Sequence, residues 1–165
     1  MRTPYCTWRR DLPHWRLDGA TYFVTWRLHA TQPDLKPHER DLVASALRFF
    51  DDDRYALSAF IVMNDHVHVM VYPRPGRSLS SIIQSWKSFT SHKMTKTGTR
   101  CSPVWQDEYQ DRVIRSAEEH AQLQEFIEQT PASRWPEMKS YAWLWVNTIE
   151  PRPAPGPPQA GTNSD

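Results

Sequence analysis

From Thr21 to His29 two kinds of position alternate. Tyr22, Val24, Trp26 and Leu28 fall on one side and Phe23, Thr25 and Arg27 on the other. A period of two in a segment rich in aromatic and β-branched residues predicts a strand. Asp18-Gly19 marks the turn that leads into it. After Pro33 and Pro37 the period lengthens: Leu42, Val43, Ala46, Leu47 and Phe50 recur at helical spacing. Glu39 and Asp41 suit the amino end of that helix, which should stop near Asp51-Asp52-Asp53. Two β-rich runs follow, Tyr55 to Met63 and His66 to Tyr72, separated by Asn64 and Asp65. These two residues tolerate the positive φ of a tight hairpin, so the runs are expected as antiparallel neighbours. Ser78 is placed to cap a second helix in which Leu79, Ile82, Ile83, Trp86 and Phe89 share the buried face, with Lys87 and Lys93 pointing elsewhere. Gly98 and Pro103 break the chain, and Tyr109 to Ile114 reads as a fourth strand. Ser116-x-x-Glu119 is a capping box for a third helix expected to end near Pro131.

The order β-α-β-β-α-β predicts an α+β, ferredoxin-like fold: one antiparallel sheet of four strands with two helices on one face, and an additional third helix available to cover the other. The aromatic run Tyr141-Ala142-Trp143-Leu144-Trp145 is expected to pack back on this body. A chain of 165 residues accommodates one core. The division expected is an amino-terminal extension over 1–20, a single domain over 21–150, and a tail over 151–165 whose five prolines point to disorder.

Composition narrows the class. Hydrophobic residues make up 39%, charged residues 24%, and the net charge is +1, which excludes a highly charged disordered chain. No apolar run approaches the roughly 18 residues of a membrane span, and MRTPYCTWRRD lacks a secretory signal's apolar stretch. A cytoplasmic, bacterial protein without membrane contact is the expectation. Cys6 and Cys101 form no C-x-x-C pattern. Charge is unevenly spread: between His66 and Gln106 lie Arg74, Arg77, Lys87, Lys93, Lys96 and Arg100 with no Asp or Glu, so this stretch carries +6 and the remainder −5. Such a bias suits a polyanion such as nucleic acid, or else a solvated basic helix.

His66-Val67-His68 is the sharpest chemical feature. On a strand, residues two apart project from one face roughly 7 Å apart at the backbone, so both imidazoles can converge on one ion while Val67, Val69 and Val71 enter the core. Alone, the pair reads more readily as two polar-face histidines than as a metal site. Its surroundings are more specific. Asp65-His66-Val67-His68-Val69-Met70 resembles the HUH motif of the single-tyrosine transposases, above all their REP-associated branch. The resemblance extends in order through Ala20 to Leu28, Ala59 to His66, Ser78 to Ser88 and Val104 to Arg115.

What the resemblance implies is cleavage and strand transfer on single-stranded hairpin DNA. The two histidines, here His66 and His68, hold a divalent ion, Mg or Mn, that polarises the scissile phosphate. A helix-borne tyrosine attacks, leaving a 5′-phosphotyrosine. The family's helix pattern resembles Tyr-Ile-Glu-x-Asn-Pro, and this chain reads Phe126-Ile127-Glu128-Gln129-Thr130-Pro131. Phe126 thus stands at the nucleophile position, and Thr130 at that of a third metal ligand. Natural loss of cleavage, an introduced Tyr-to-Phe change, and transfer of the role to Tyr109 all remain open. Arg74, Arg77, Lys87, Lys93, Lys96, Arg100, Arg112 and Arg115 are the candidate DNA contacts, with Trp105 either stacking on a base or packing its loop. The function expected is that of a DNA-binding, transposase-like protein, monomeric or homodimeric. The alternatives are a non-catalytic single-stranded nucleic-acid-binding module, degenerate or domesticated, and a small-molecule metal hydrolase that leaves the basic stretch without a role.

Overall fold

The computed structural model describes residues 19–147; most of the expected amino-terminal extension, the domain's last residues and the Pro-rich tail lie outside them. The elements run β1 (Thr21–Leu28), α1 (Pro37–Phe49), β2 (Tyr55–Val62), β3 (His66–Pro73), α2 (Leu79–Lys96), β4 (Trp105–Ile114), α3 (Ala117–Arg134) and β5 (Leu144–Val146). The strands form one sheet in the order β4-β1-β3-β2-β5, every pair antiparallel. The first four strands keep the ferredoxin-like order. The fifth comes from the aromatic run expected to pack back, which adds to the free edge of β2 through Ala59↔Val146 and Ile61↔Leu144. No helix among the described residues is long and apolar enough to cross a membrane.

Side-chain alternation divides the core in two. Tyr22, Val24 and Trp26 of β1 and Val67, Val69 and Val71 of β3 face α1 and α2, where Leu47, Ile83 and Trp86 meet them. The opposite face carries Met70 and Ile114 under Leu123 and Ile127 of α3. Strand β2 obeys this division only because of an irregularity between Leu57 and Ala59. Leu57 and Phe60 both lie in the first cluster and Ala59 and Ile61 in the second, so the extra residue at Ser58 reverses the parity.

Several local expectations change. The β2–β3 connection has no positive φ at Asn64 or Asp65, since Asp52 (φ 68°) is the only such non-glycine residue described. Tertiary bonds hold it instead: Leu35 N–H donates to Asn64 O at 2.7 Å, Leu28 N–H to Asp65 O at 2.9 Å, and Asn64 Nδ2 to Asp34 Oδ2 at 2.9 Å. Helix α3 runs past Pro131 to Arg134. Pro131 brings no N–H to the preceding turn, but Thr130 Oγ1 donates to Phe126 O and Trp135 N–H to Pro131 O, both at 2.7 Å, so the last turn stays bonded. Strand β4 begins at Trp105, four residues earlier than the polar Gln106-Asp107-Glu108 run suggested, because Trp105 pairs with Leu28 across a register shift. On α2 the buried stripe is Ile82, Ile83, Trp86, Thr90 and Met94, whereas Phe89 is 48% exposed.

Two expected surface cations are interior. Lys87 is buried and its Nζ donates to Gln106 O at 2.6 Å and Asp107 O at 3.2 Å, tying α2 to β4. Arg100 forms a two-pronged pair with Glu39, Nε to Oε1 at 2.7 Å and Nη2 to Oε2 at 2.6 Å, both side chains 2% exposed. It also donates to Pro33 O, Asp34 O and Gln32 Oε1, so it locks the segment after α2 onto the start of α1. Trp105 is likewise a packing residue: it is buried, lies edge-on to Trp26, and donates from its indole to Thr90 Oγ1 at 2.9 Å.

Candidate metal and nucleic-acid site

His66 and His68 project from the same side of β3, the side covered by α3, with ring centroids 4.7 Å apart. Strand β1 sets their surroundings through its register, Thr25 opposite His68 and Arg27 opposite His66. Thr25 Oγ1 lies 2.7 Å from His68 Nδ1, and Asp65 Oδ1 lies 2.6 Å from His66 Nδ1. A carboxylate beside Nδ1 holds the proton there and leaves the Nε2 lone pair outward; the Thr25 hydroxyl can accept the Nδ1 proton of His68 to the same effect. Each imidazole thus has the orienting partner that metal-binding histidines ordinarily have.

The electrostatics keep both rings neutral near pH 7. Burial pushes His68 well below its ordinary value, and the charges of His66 and Arg27 push the same way. His66 is lowered mainly by burial, which outweighs the hydrogen bond and charge of Asp65, and Arg27 and Arg134 add to the lowering. For Asp65, burial pulls upward but the bond to His66 prevails and its carboxyl sits below the usual range. Two neutral imidazoles with ring centroids 4.7 Å apart, each with its Nδ1 engaged, have the chemistry to hold a divalent ion through Nε2. No group of three His, Cys, Asp or Glu is assembled among the described residues. Thr130 sits on the right helix, but its hydroxyl proton is given to Phe126 O.

Phe126 occupies the ground over the pair. Its ring lies edge-on to His68 with centroids 5.4 Å apart, and edge-on to Phe23 at 6.1 Å, while Phe23 stacks on His68 at 5.4 Å. The position that the sequence reading assigned to a nucleophile therefore does face the histidines, with a phenyl ring on it. Tyr109 does not. It pairs with Trp26 and packs against the cluster under α1 and α2, so the sheet stands between its ring and the imidazoles.

The basic residues do not form one patch. Arg74 and Arg77 follow the far end of β3; Arg74 is eight residues from His66, about 26 Å along an extended strand. Arg74 is also paired with Asp52 at 3.3 Å. Arg112 is paired with Glu119, and Arg115 is exposed just past Ile114, which lies opposite Thr21 at that same far end. Helix α2 runs back along the sheet for about 27 Å, which brings the exposed Lys93 and Lys96 to the histidine end, on the face opposite α3. Lys87 and Arg100 are the interior pair described above. Arg27, Arg134, Thr25, Asp65 and Phe23 were not singled out from sequence. For Arg27 and Thr25 a signal existed, since they share the strand face that leaves Trp26 to the core. Their pairing with His66 and His68 required the β1–β3 register.

Comparison with known proteins places this geometry. The family described as "Transposase IS200 like" matches residues 21–130. A REP-associated tyrosine transposase, solved bound to a REP hairpin, superposes with a TM-score of 0.69 at 18% identity, covering 82% of each chain. A putative transposase from Deinococcus radiodurans superposes with a TM-score of 0.50 at 19% identity, covering 72% of this chain and 96% of that one. No curated protein matches the chain at a significant level. These structural likenesses concern the fold; the family match spans His66, His68, Phe126 and Thr130, and on it the chain belongs to the IS200-like transposase family.

Proposed function

We propose that this chain binds single-stranded hairpin DNA across the sheet face carrying His66 and His68, holds a divalent ion there, Mg or Mn, and forms no covalent DNA adduct. The observation that carries the reading is the Phe126 ring set edge-on to His68 at 5.4 Å. Helix α3 delivers that residue to the place from which a tyrosine would attack a phosphate resting on the histidines. When bound, the ion would polarise the phosphate and stabilise charge developing on its oxygens. His66 and His68 supply two nitrogen ligands, oriented by Asp65 and Thr25. A phenyl ring has no nucleophilic atom, and the Tyr109 hydroxyl is on the wrong face. Exposed Lys93, Lys96, Arg77 and Arg115 remain available for more distant phosphates.

The REP hairpin bound by one structural relative supports DNA of that kind as the substrate. Phe126 and the engaged Thr130 together favour a second reading, a family member retained for binding alone. The test is to incubate the unmodified chain with hairpins from the DNA flanking its gene, with Mg or Mn, and to follow both retention and cleavage. Saturable binding without a nicked or protein-linked strand is expected. An adduct formed by the unmodified chain would overturn the reading.

A further inference from the structure

Two fixed positive charges act on His66, those of Arg27 and Arg134. Arg27 is its register partner on β1 and is half-buried, and no hydrogen bond or ion pair is found for it among the described residues. Arg134 ends α3, the helix that covers the histidines, and its guanidinium rests over Trp135 at 5.8 Å. Both guanidinium charges reach Asp65 and His66. Asp65 already meets His66 Nδ1 at 2.6 Å, and it is the carboxylate through which that imidazole is held. With both imidazoles neutral, two arginines against one committed carboxylate leave the face net positive. That is unfavourable for a bare cation and favourable for an anion. The guanidinium fork matches the spacing of phosphate oxygens and keeps its charge at any working pH.

We propose that Arg27 and Arg134 clamp one backbone phosphate of the DNA strand against the Nε2 edges of His66 and His68. The clamped phosphate supplies an oxygen ligand beside the two imidazoles, so DNA and the divalent ion tighten each other's binding by the same factor. This rests on the DNA-binding reading above and adds to it the residues that position the reacting phosphate. It also accounts for an arginine on β1 left without a partner on the same face as the histidines. Such a residue is a poor contributor to folding and a good one to anion capture.

The test uses the full chain, a fluorescently labelled hairpin with single-stranded flanks, and EDTA, so that binding is read without metal or cleavage. The double variant Arg27→Gln/Arg134→Gln should bind about tenfold or more weakly than the unmodified chain, since it loses charge-assisted bonds to the phosphate. Its plot of log affinity against log salt should be shallower by about 0.7, one phosphate's worth on a single strand. Walking a neutral methylphosphonate along the strand should reveal one linkage at which the unmodified chain loses affinity and the double variant does not. Manganese titrations read by electron paramagnetic resonance should show DNA tightening the ion's binding in the unmodified chain and far less in the double variant. Equal thermal melting of the two proteins would show that the fold is retained. If the unmodified chain binds the hairpin and the double variant matches it in affinity, salt slope and methylphosphonate profile, the clamp is wrong and the DNA-binding reading stands. If the unmodified chain binds no hairpin or single strand even at low salt, the functional reading itself falls and the clamp with it.

Discussion

Replacing Arg100 should unfold the protein more readily and leave its DNA affinity alone, the reverse of what its place in a basic stretch suggests. The guanidinium makes five hydrogen bonds, two of them to Glu39 at 2.6 and 2.7 Å, from a side chain 2% exposed. Arg100→Met keeps much of the volume but leaves the Glu39 carboxylate buried without its counter-charge, and breaking a buried pair from one side costs about 3–5 kcal/mol. With roughly 2–4 °C per kcal/mol for a domain of this size, the melting temperature should fall on the order of 10 °C. Burial acts to raise the Glu39 pKa, but the bonds from Arg100 and the Lys36 N–H outweigh it and leave the carboxyl below its ordinary value of 4.5. The unmodified protein therefore keeps this stabilisation above pH 4.5 and loses it as pH falls through the lower folded value. In Arg100→Met the bond from the Lys36 N–H stays but the guanidinium's bonds and charge are gone, so burial weighs more, Glu39 protonates at higher pH than in the unmodified protein, and the gap between the two proteins should narrow as pH falls from 7 towards 4. Removing both charges with Glu39→Met/Arg100→Met should recover part of the loss, though Pro33 O and Asp34 O stay without their donor. Urea unfolding and hairpin binding, measured on the same preparations, decide the matter. Unchanged stability together with a weakened, less salt-sensitive complex would refute the structural role.

Three further expectations follow from the same contacts. Burial lowers the pKa of His68, and to a lesser extent His66 and His120, so the fold has their full support above the unfolded value near 6.5 and loses it as pH falls towards their folded values. Melting temperature against pH should fall below 6.5, less steeply in His68→Gln, and a flat profile down to pH 5 would contradict the burial. Lys87→Met should cost about 1–2 kcal/mol in urea unfolding through the lost bonds to Gln106 O and Asp107 O, with no change in DNA affinity; a clear loss of affinity would return Lys87 to the binding surface. Tyr141→Phe removes the bond from its hydroxyl to Val62 O at 2.6 Å and should cost about 1 kcal/mol by the same measurement, reporting that the segment leading to β5 helps hold the β2 edge.

The parts of this fold that could be read from sequence are those governed by local period. The alternation in β1 and β3 placed Val67, Val69 and Val71 inside and both histidines on the other face; helical stripes located α1 and α2, and caps at Ser78 and Ser116 marked the starts of α2 and α3. Longer-range facts were out of reach. A run of three polar residues hid the first half of β4, and the parity reversal at Leu57/Ala59 depends on a bulge that no residue type announces. Whether a cation is interior is decided by what it meets across the chain. Lys87 and Arg100 look like Lys93 and Lys96 in sequence, and only the carbonyls of β4 and the carboxylate of Glu39, 61 residues from Arg100, set them apart. The sequence places the end of α3 too early, at Pro131, because a proline inside a helix reads as a stop unless local i→i−4 bonds such as those from Thr130 and Trp135 carry the turn on. The same limit applied to Arg27, whose neighbour His66 is set by strand register.

The most direct measurement adds a single oxygen atom. Phe126→Tyr places a phenol where the ring already faces His68 at 5.4 Å. With flanking hairpin DNA and Mg or Mn, this variant should yield a protein–DNA species that survives a denaturing gel, disappears with EDTA and is abolished by adding His66→Ala. Thr130→Asn should raise its yield if a side-chain oxygen on that turn completes the ion's ligands. The unmodified chain, run alongside, should yield none. Adduct from the unmodified chain, or adduct from Phe126→Tyr that persists without metal and without His66, would contradict the account.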